Sequence, residues 1–318
     1  MDVLVFLVAL AAVGVMGFAN QRGGTCTVAA IEEVIGSGGF SRLLAVFEAS
    51  LWVGCGLVVL QALGALPAMP PGYAPRLLTI VGGVLFGLGA VVNGACLFGT
   101  VARFGSGEWA YAATPVGLFV GSLATAGVQA ADRLPHPSVV LAASAFSLMA
   151  AAGLLLARLA SHGFAIRRRK RAILEHIWSP HVATTVIGVT FLVAFVTAGH
   201  WDYADFLTEL AHGQTQGWLG KTLLAAALIA GAVVGGWTAG RLRLVRPTRR
   251  DLLKRLVGGT LMGAGASLIP GGNTGLILLG MPMLWPYAWL GFLTICLTIY
   301  VCLRVNSAVA ARLSRPAT

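Results

Sequence analysis

The chain has 318 residues, of which 57% are hydrophobic and 10% charged, and its mean hydropathy is +0.84. Soluble domains carry about 25% charged residues, so this composition excludes a soluble domain and predicts an all-α polytopic membrane protein. The net charge of +11 does not indicate nucleic-acid binding, because the basic residues gather in short loops. Residues 3–18 are predicted to form a retained helix, since the N-terminus lacks the basic segment of a signal peptide.

Nine apolar stretches long enough to cross a bilayer follow one another along the chain. Four shorter apolar segments lie between some of them, each after a break that contains Gly, Asn or Asp. Such segments predict re-entrant half-helices that line a protein-walled cavity. The nine stretches are 3–19, 43–66, 77–95, 113–131, 137–160, 181–200, 219–240, 256–272 and 284–304, and the short segments are 26–36, 97–105, 203–211 and 274–281.

Two segments of the chain resemble each other without a gap. Residues 81–112 and 257–288 share 11 of 32 positions at a constant offset of 176, which places Cys96 opposite Gly272. Similar halves in a hydrophobic chain, each interrupted by Gly, Asn or Pro, are typical of transporters built from two repeats. The sequence therefore predicts an internally duplicated membrane protein.

The basic loops give this topology an orientation. Clusters at 167–171, 241–255 and 304–315 all fall on one side of a nine-span chain. Positively charged loops stay in the cytoplasm, so the N-terminus is predicted outside and the C-terminus inside the cell. With the fifth span as a linker, the sixth enters opposite to the first. The predicted units are a first inverted repeat, a linker span with its basic loop, and a second inverted repeat, at residues 1–135, 136–175 and 176–318.

Two of the breaks place a cysteine at the start of a short helix. A restarting helix directs free N–H groups and its positive dipole end into the break, which suits an anion. A lone membrane cysteine is usually a small packing residue, but its recurrence at two breaks favours a binding path. The candidate path residues in these two breaks are Arg22, Gly24, Cys26, Asn93 and Cys96.

Glu48 lies inside the second span, within LLAVFEASLWVG. A carboxylate at that depth indicates either a functional group or a residue near the interface, and the sequence leaves both readings open. His200 and Asp202, at the end of the sixth span, are expected to be solvated interfacial residues.

Other cofactor and metal motifs are absent from the sequence. No His/Cys spacing predicts a zinc site, no CxxC pair predicts thioredoxin-type redox chemistry, and no GK[ST] loop predicts ATP binding. Cys55, Cys296 and Cys302 lie in or at the end of continuous spans and are expected to be packing residues. We therefore expect no metal, no cofactor and no enzymatic activity.

Three motifs resemble the YeeE/YedE family of bacterial inner-membrane proteins, which includes thiosulfate transporters. They are RGGTCTVAAI at 22–31, GGVLFGLGAVVNGACLFG at 82–99 and GGTLMGAGASLIPGGNTG at 258–275. The resemblance implies nine spans, four short helices and a substrate that passes three cysteines along a central path. Two of these cysteines match Cys26 and Cys96, whereas the third is replaced by Gly272, directly before Asn273.

We therefore expect an inner-membrane transporter of a small sulfur-containing anion, with thiosulfate as the first candidate. Thiols and half-helix N-termini would pass the anion along. The alternatives are another sulfur or selenium species, an unrelated anion, a persulfide-forming sulfur relay at Cys26 or Cys96, and a non-transporting membrane partner. The expected partners are a small inorganic sulfur anion and membrane lipid, with a cytoplasmic sulfurtransferase or sulfur-carrier protein as a further candidate and no nucleic acid.

Overall fold

The computed structural model describes residues 3–128, 133–134, 138, 140–142, 148–154, 156–158, 160 and 177–313. The predicted basic loop at 167–171, parts of the linker span at 137–160 and the end of the C-terminal basic cluster lie outside the described residues. In the first half the helices are α1 (Val3–Gly23), α2 (Thr27–Ser37), α3 (Ser41–Ala62), α4 (Leu77–Asn93), α5 (Leu97–Gly105) and α6 (Ala113–Ala124), with a 3-10 turn at Trp109–Ala112.

A two-residue strand β1 (Gly72–Tyr73) lies between α3 and α4 and pairs antiparallel with β2 (Arg133–Leu134), which follows α6.

The second half follows the same order of long and short helices. The later helices are α7 (Pro180–Ala198), α8 (Tyr203–Ala211), α9 (Trp218–Thr238), α10 (Arg249–Leu268), α11 (Gly272–Gly275) with a π-helical turn at Leu276–Gly280, and α12 (Pro286–Leu313).

Local side chains fix several of these helix starts. Ser179 accepts a hydrogen bond from the third residue beyond it, and Pro180 occupies the first helical position of α7. Thr248 and Asp251 form a reciprocal capping box at the start of α10. Such caps satisfy backbone N–H groups that have no partner within the helix, so these starts are encoded by the adjacent residues.

Six helices in the described part of the chain are long and apolar enough to cross a membrane, or seven if Arg249–Leu268 and Gly272–Gly280, bent by 48°, count as one span. The predicted fourth span is a shorter helix, α6, and only parts of the fifth lie within the described residues. The all-α membrane fold is confirmed, whereas the count of nine spans stays a prediction. Short helices α2, α5, α8 and α11 stand at the four predicted breaks.

The offset of 176 extends beyond the similar segments. Helices α2 and α8 begin 176 residues apart, at Thr27 and Tyr203. The residue before each helix is its N-cap, so Cys26 and Asp202 occupy equivalent positions. Cys96, the N-cap of α5, is likewise equivalent to Gly272, the first residue of α11.

Helices α4 and α10 cross through paired glycines. A Cβ on Gly82 would lie 2.9 Å from the carbonyl oxygen of Gly265, and a Cβ on Gly89 would lie 2.6 Å from that of Gly258. Only the absence of side chains allows so close a backbone approach. Under the offset, Gly82 is equivalent to Gly258 and Gly89 to Gly265, so each pair is the image of the other. A two-fold axis between inverted repeats would produce this pattern, and the division of the chain into inverted repeats stays a prediction.

Candidate functional site

The thiols of Cys26 and Cys96 meet at the start of two short helices. Both side chains are buried, Cys96 completely. The backbone N–H of Thr27, in the first turn of α2, donates to Cys96 Sγ at 3.2 Å. Gly99 on α5 leaves the space for this arrangement, because a Cβ there would lie 2.5 Å from Cys26 Sγ. The fold thus brings together two of the predicted residues that are 70 positions apart in the sequence.

Asn273 connects the second repeat to these thiols. Its Nδ2 donates to Thr27 Oγ1 at 3.4 Å, and its Oδ1 has no partner within the described structure. The side chain is fully buried, as is that of Asn20, whose Oδ1 is also unpartnered there. Buried polar atoms normally find partners, so these acceptors indicate a place for a water molecule or a polar ligand beside the thiols.

Asn93 forms hydrogen bonds at the end of α4, and its predicted part in the path stays a prediction. Its Nδ2 donates to the Ala95 carbonyl oxygen at 2.7 Å and to Thr100 Oγ1 at 2.9 Å, and its Oδ1 accepts from Thr114 Oγ1 at 2.8 Å. These bonds join the end of α4 to α5 and α6. Asn93 therefore stabilises the break between α4 and α5, where Cys96 lies.

Gly272 lies at the start of α11 with φ of +49°. A Cβ at this position would lie 3.1 Å from Ala204 Cβ and 3.6 Å from Ala266 Cβ. Non-glycine residues adopt such a left-handed conformation at a modest cost. The backbone at the third family position therefore leaves nearly enough room for the missing cysteine side chain.

One end of the molecule contains a positively charged cavity of about 280 Å³, here called the arginine cavity. Cys26 and Gly24 line it, so the predicted thiol opens into this space. Two of its arginines are held in place, since Arg22 Nη2 donates to Thr238 Oγ1 at 2.8 Å and Arg103 pairs with Glu108. The charged side chains that line the cavity are Arg22, Arg42, Arg103, Arg241 and Glu32.

The opposite end contains a cavity of about 290 Å³, here called the histidine cavity. Helix α4 begins just after Tyr73, which lines this cavity, and ends just before Gly94, which lines the arginine cavity. Its 17 residues set the two cavities about 25 Å apart. The ionisable and polar groups that line the histidine cavity include His200, Asp205, Glu209, His212 and Ser267.

A narrow apolar waist lies between the two cavities. It encloses about 30 Å³, room for one or two water molecules but not for an oxyanion. Asn20 and Asp202 line this space among mainly hydrophobic neighbours, which include Phe98, Trp201 and Leu278. The conformation is therefore closed between its two ends.

Glu48 lies apart from both cavities. Arg158 donates to it in a bidentate pair at 2.8 Å, and His181 Nδ1 lies 2.6 Å from its Oε2. The described residues that line the two cavities do not include Glu48. Glu48 is therefore an ion-pair centre between α3 and its neighbours, and its part in the path stays a prediction.

Several polar groups beside the waist in the second half of the chain were not predicted as site residues. Asp202 and His200, expected at a solvated interface, are buried and half-buried respectively. Asp205 contacts both His200 and the backbone of Gly271. The equivalence of Asp202 with Cys26 is the sequence signal that could have identified this group.

Comparison with known proteins identifies the family of this chain. A family model described as sulphur transport matches residues 22–301. The chain is also 24% identical to the thiosulfate transporter TsuA of Escherichia coli (strain K12) over 324 aligned positions, which cover 90% of each protein. The matched region contains both thiols, both cavities and all four short helices. The chain therefore belongs to the sulphur transport family, the YeeE/YedE family that its motifs resemble.

Proposed function

We propose that this protein carries thiosulfate, or a closely similar sulfur oxyanion, across the bacterial inner membrane into the cytoplasm. The proposal rests mainly on two adjacent thiols, Cys26 and Cys96, each at the start of a short helix. Of the two, Cys26 lines the arginine cavity. A relative that is 24% identical to this chain over 90% of each protein is named as a thiosulfate transporter. We place the arginine cavity on the cytoplasmic side, because the basic loops favour that side.

The thiols suit a sulfur-containing anion that must bind briefly and leave. Cys96 Sγ already accepts the Thr27 N–H, so the start of α2 is built to donate to a sulfur atom. A passing anion can take over this N–H and receive S–H donors from Cys26 and Cys96. Such contacts are weak enough for rapid release, as conduction requires.

The arginine cavity compensates charge at the cytoplasmic end of the path. An oxyanion loses hydration in the waist, where the local dielectric constant is low. Arg22 and Arg103 are held where their charges reach the space below Cys26. They therefore lower the free energy of the anion as it leaves the thiols.

Uptake of labelled thiosulfate into cells that lack their own uptake systems tests this proposal. The wild type is expected to take up thiosulfate, and Cys96→Ala to lose at least about tenfold in rate, a change of roughly 1.4 kcal/mol. Cys296→Ala is the matched control, because Cys296 lies on the continuous helix α12 and lines neither cavity. Undiminished uptake by Cys96→Ala would contradict the thiol-lined path.

A covalent sulfur relay is the second candidate, favoured by the contact between the two thiols. In a relay, a thiolate would attack thiosulfate, bind its outer sulfur as a persulfide and release sulfite. Mass spectrometry after exposure to thiosulfate separates the two mechanisms. Transport leaves the mass of the protein unchanged, whereas a relay adds one sulfur atom to Cys26 or Cys96.

A further inference from the structure

Three ionisable residues beside the waist are not used by the proposed thiol path. Asp205 Oδ1 accepts a hydrogen bond from the Gly271 N–H at 2.7 Å, and Asp205 Oδ2 lies 3.2 Å from His200 Nε2. Asp202 Oδ1 accepts from the backbone N–H groups of Ala204 at 2.8 Å and Asp205 at 3.2 Å. We call Asp202, Asp205 and His200 the carboxylate cluster.

The carboxylate cluster joins the histidine cavity to the waist. His200 and Asp205 line the cavity, where water can reach them. Asp202 is 6% exposed and lines the waist, on the side that leads to Asn20 and Phe98. The cluster therefore extends from the water-accessible cavity to the narrowest part of the path. Its innermost residue, Asp202, is equivalent to Cys26 of the first repeat.

Among the described residues, no Lys or Arg side chain forms a salt bridge with the cluster. Lys221 is paired with Glu209, and His212 Nε2 lies 3.2 Å from the Ser122 carbonyl oxygen. Within the described part of the chain, no three His, Cys, Asp or Glu side chains are placed to hold a metal ion. The other ionisable groups that face Asp205 across the cavity are Tyr73 and Tyr287.

We propose that the carboxylate cluster binds a proton that crosses the membrane together with the anion. With both carboxylates ionised and His200 neutral, the cluster carries two negative charges and repels an anion at the waist. Each bound proton removes one of these charges. The proton is taken from water on the outer side and released with the anion on the cytoplasmic side, so no other bond is made or broken.

This inference rests on the proposed function, because it supplies the energy that anion uptake needs. The inside-negative membrane potential opposes a divalent anion, and a coupled proton offsets part of that charge. Buried carboxylates in membrane proteins commonly serve as proton relays. Groups that interact this closely take up protons as a unit, so the cluster and not a single residue is the binding site.

Purified protein in liposomes tests the proposal, with labelled thiosulfate outside and the membrane potential held at zero by potassium and valinomycin. The rate and the final accumulation are compared at equal pH and with the outside made more acidic. With one proton per anion, each pH unit of gradient supports about tenfold accumulation. A protonophore is expected to abolish this gain.

Two variants locate the proton site without removing its structural hydrogen bonds. Asp202→Asn keeps an oxygen for the N-cap of α8, since Asn caps as well as Asp. Asp205→Asn keeps an oxygen for the Gly271 N–H. Both are expected to lose accumulation driven by the pH gradient while retaining exchange of labelled for unlabelled thiosulfate, which needs no net proton movement. Retained exchange also shows that each variant is folded.

His212→Gln is the matched control, because His212 is a second histidine of the same cavity that lies outside the cluster. It is expected to keep the full response to the pH gradient. Wild-type uptake that ignores the gradient, or a response that persists in both Asp202→Asn and Asp205→Asn, would overturn proton coupling while leaving the proposed transport intact. Absence of wild-type uptake and exchange at every pH would instead contradict the proposed function and, with it, proton coupling.

Discussion

The arginine cavity and the histidine cavity have nearly the same volume, about 280 and 290 Å³, but differ in charge. Four arginines and one glutamate line the first. Two histidines and two carboxylates line the second. An anion at the histidine end therefore meets groups that repel it unless they are protonated, whereas the arginine end attracts it at any ordinary pH. This difference in charge would give the arginine cavity and the histidine cavity separate roles in the proposed transport path.

Equivalent positions in the two repeats explain how this difference arose on a common framework. The N-cap of the first short helix is Cys26 in one repeat and Asp202 in the other, and Cys96 is matched by Gly272. The helix breaks occur at the same places in both halves. The two halves therefore share the same positions of helix breaks, whereas the side chains at the equivalent helix starts differ between the two ends of the proposed path.

Gly99→Ala should have the largest effect, because it disturbs the thiols between the two cavities. The added Cβ would lie 2.5 Å from Cys26 Sγ, and overpacking of this kind costs about 1–3 kcal/mol. We expect uptake to fall by about tenfold or more. Gly36→Ala is the control, because a Cβ at Gly36 has no atom within 4 Å in the described structure. Equal uptake by both variants would show that the position of Cys26 is unimportant.

Arg22→Gln should weaken the arginine cavity without touching the thiols. Arg22 is 7% exposed and lines the cavity with Cys26. Loss of one charge near an anion removes roughly 1 kcal/mol of attraction, so the concentration for half-maximal uptake should rise about fivefold. Arg246→Gln, an exposed arginine that does not line the cavity, serves as the comparison. A similar change in both variants would indicate a general effect of surface charge.

Glu48→Gln removes a carboxylate that lies outside both cavities. It weakens the ion pair with Arg158 and the contact with His181, and because Arg158 is 42% exposed we expect a loss of only about 1–2 kcal/mol in the free energy of unfolding. The variant should unfold at a lower temperature in detergent yet keep its response to a pH gradient. Loss of that response with unchanged thermal stability would make Glu48 part of the path.

Gly272→Cys should have the smallest effect, because φ of +49° and a nearest contact of 3.1 Å to Ala204 Cβ cost about 1 kcal/mol. Gly271→Cys should cost more, since Gly271 has φ of +95° and its Cβ would face the backbone of Gly275 at 3.2 Å. Thermal unfolding of the two variants measures this difference. Equal destabilisation would mean that the third family position cannot accept a cysteine in this chain.

The helix breaks are predictable from sequence because their causes are local. The predicted segments 97–105 and 203–211 coincide with α5 and α8. Glycine, asparagine and aspartate at these points end one helix or cap the next within a few residues. Cys26 and Cys96 were predictable as candidates because each stands at the start of a short helix after such a break.

The carboxylate cluster was not predictable in the same way. His200 and Asp202 end a span, and from sequence alone a solvated interface explains them equally well. Their role depends on the contact between Asp205 and Gly271, which are 66 positions apart. Glu48 was uncertain for the same reason, because its partner Arg158 lies 110 positions away. Contacts at such separations follow from helix packing and leave no periodic pattern in the chain.

The hydrogen bond between Asn273 Nδ2 and Thr27 Oγ1, 3.4 Å long, joins the two halves of the chain beside the buried thiols. A neutral bond of this kind contributes only about 1 kcal/mol net. In the proposed transport, an oxyanion that reaches Asn273 would accept the Nδ2 hydrogen in place of Thr27, so the number of hydrogen bonds would stay constant. We therefore expect this contact between the halves to oppose the movement of the ion only weakly.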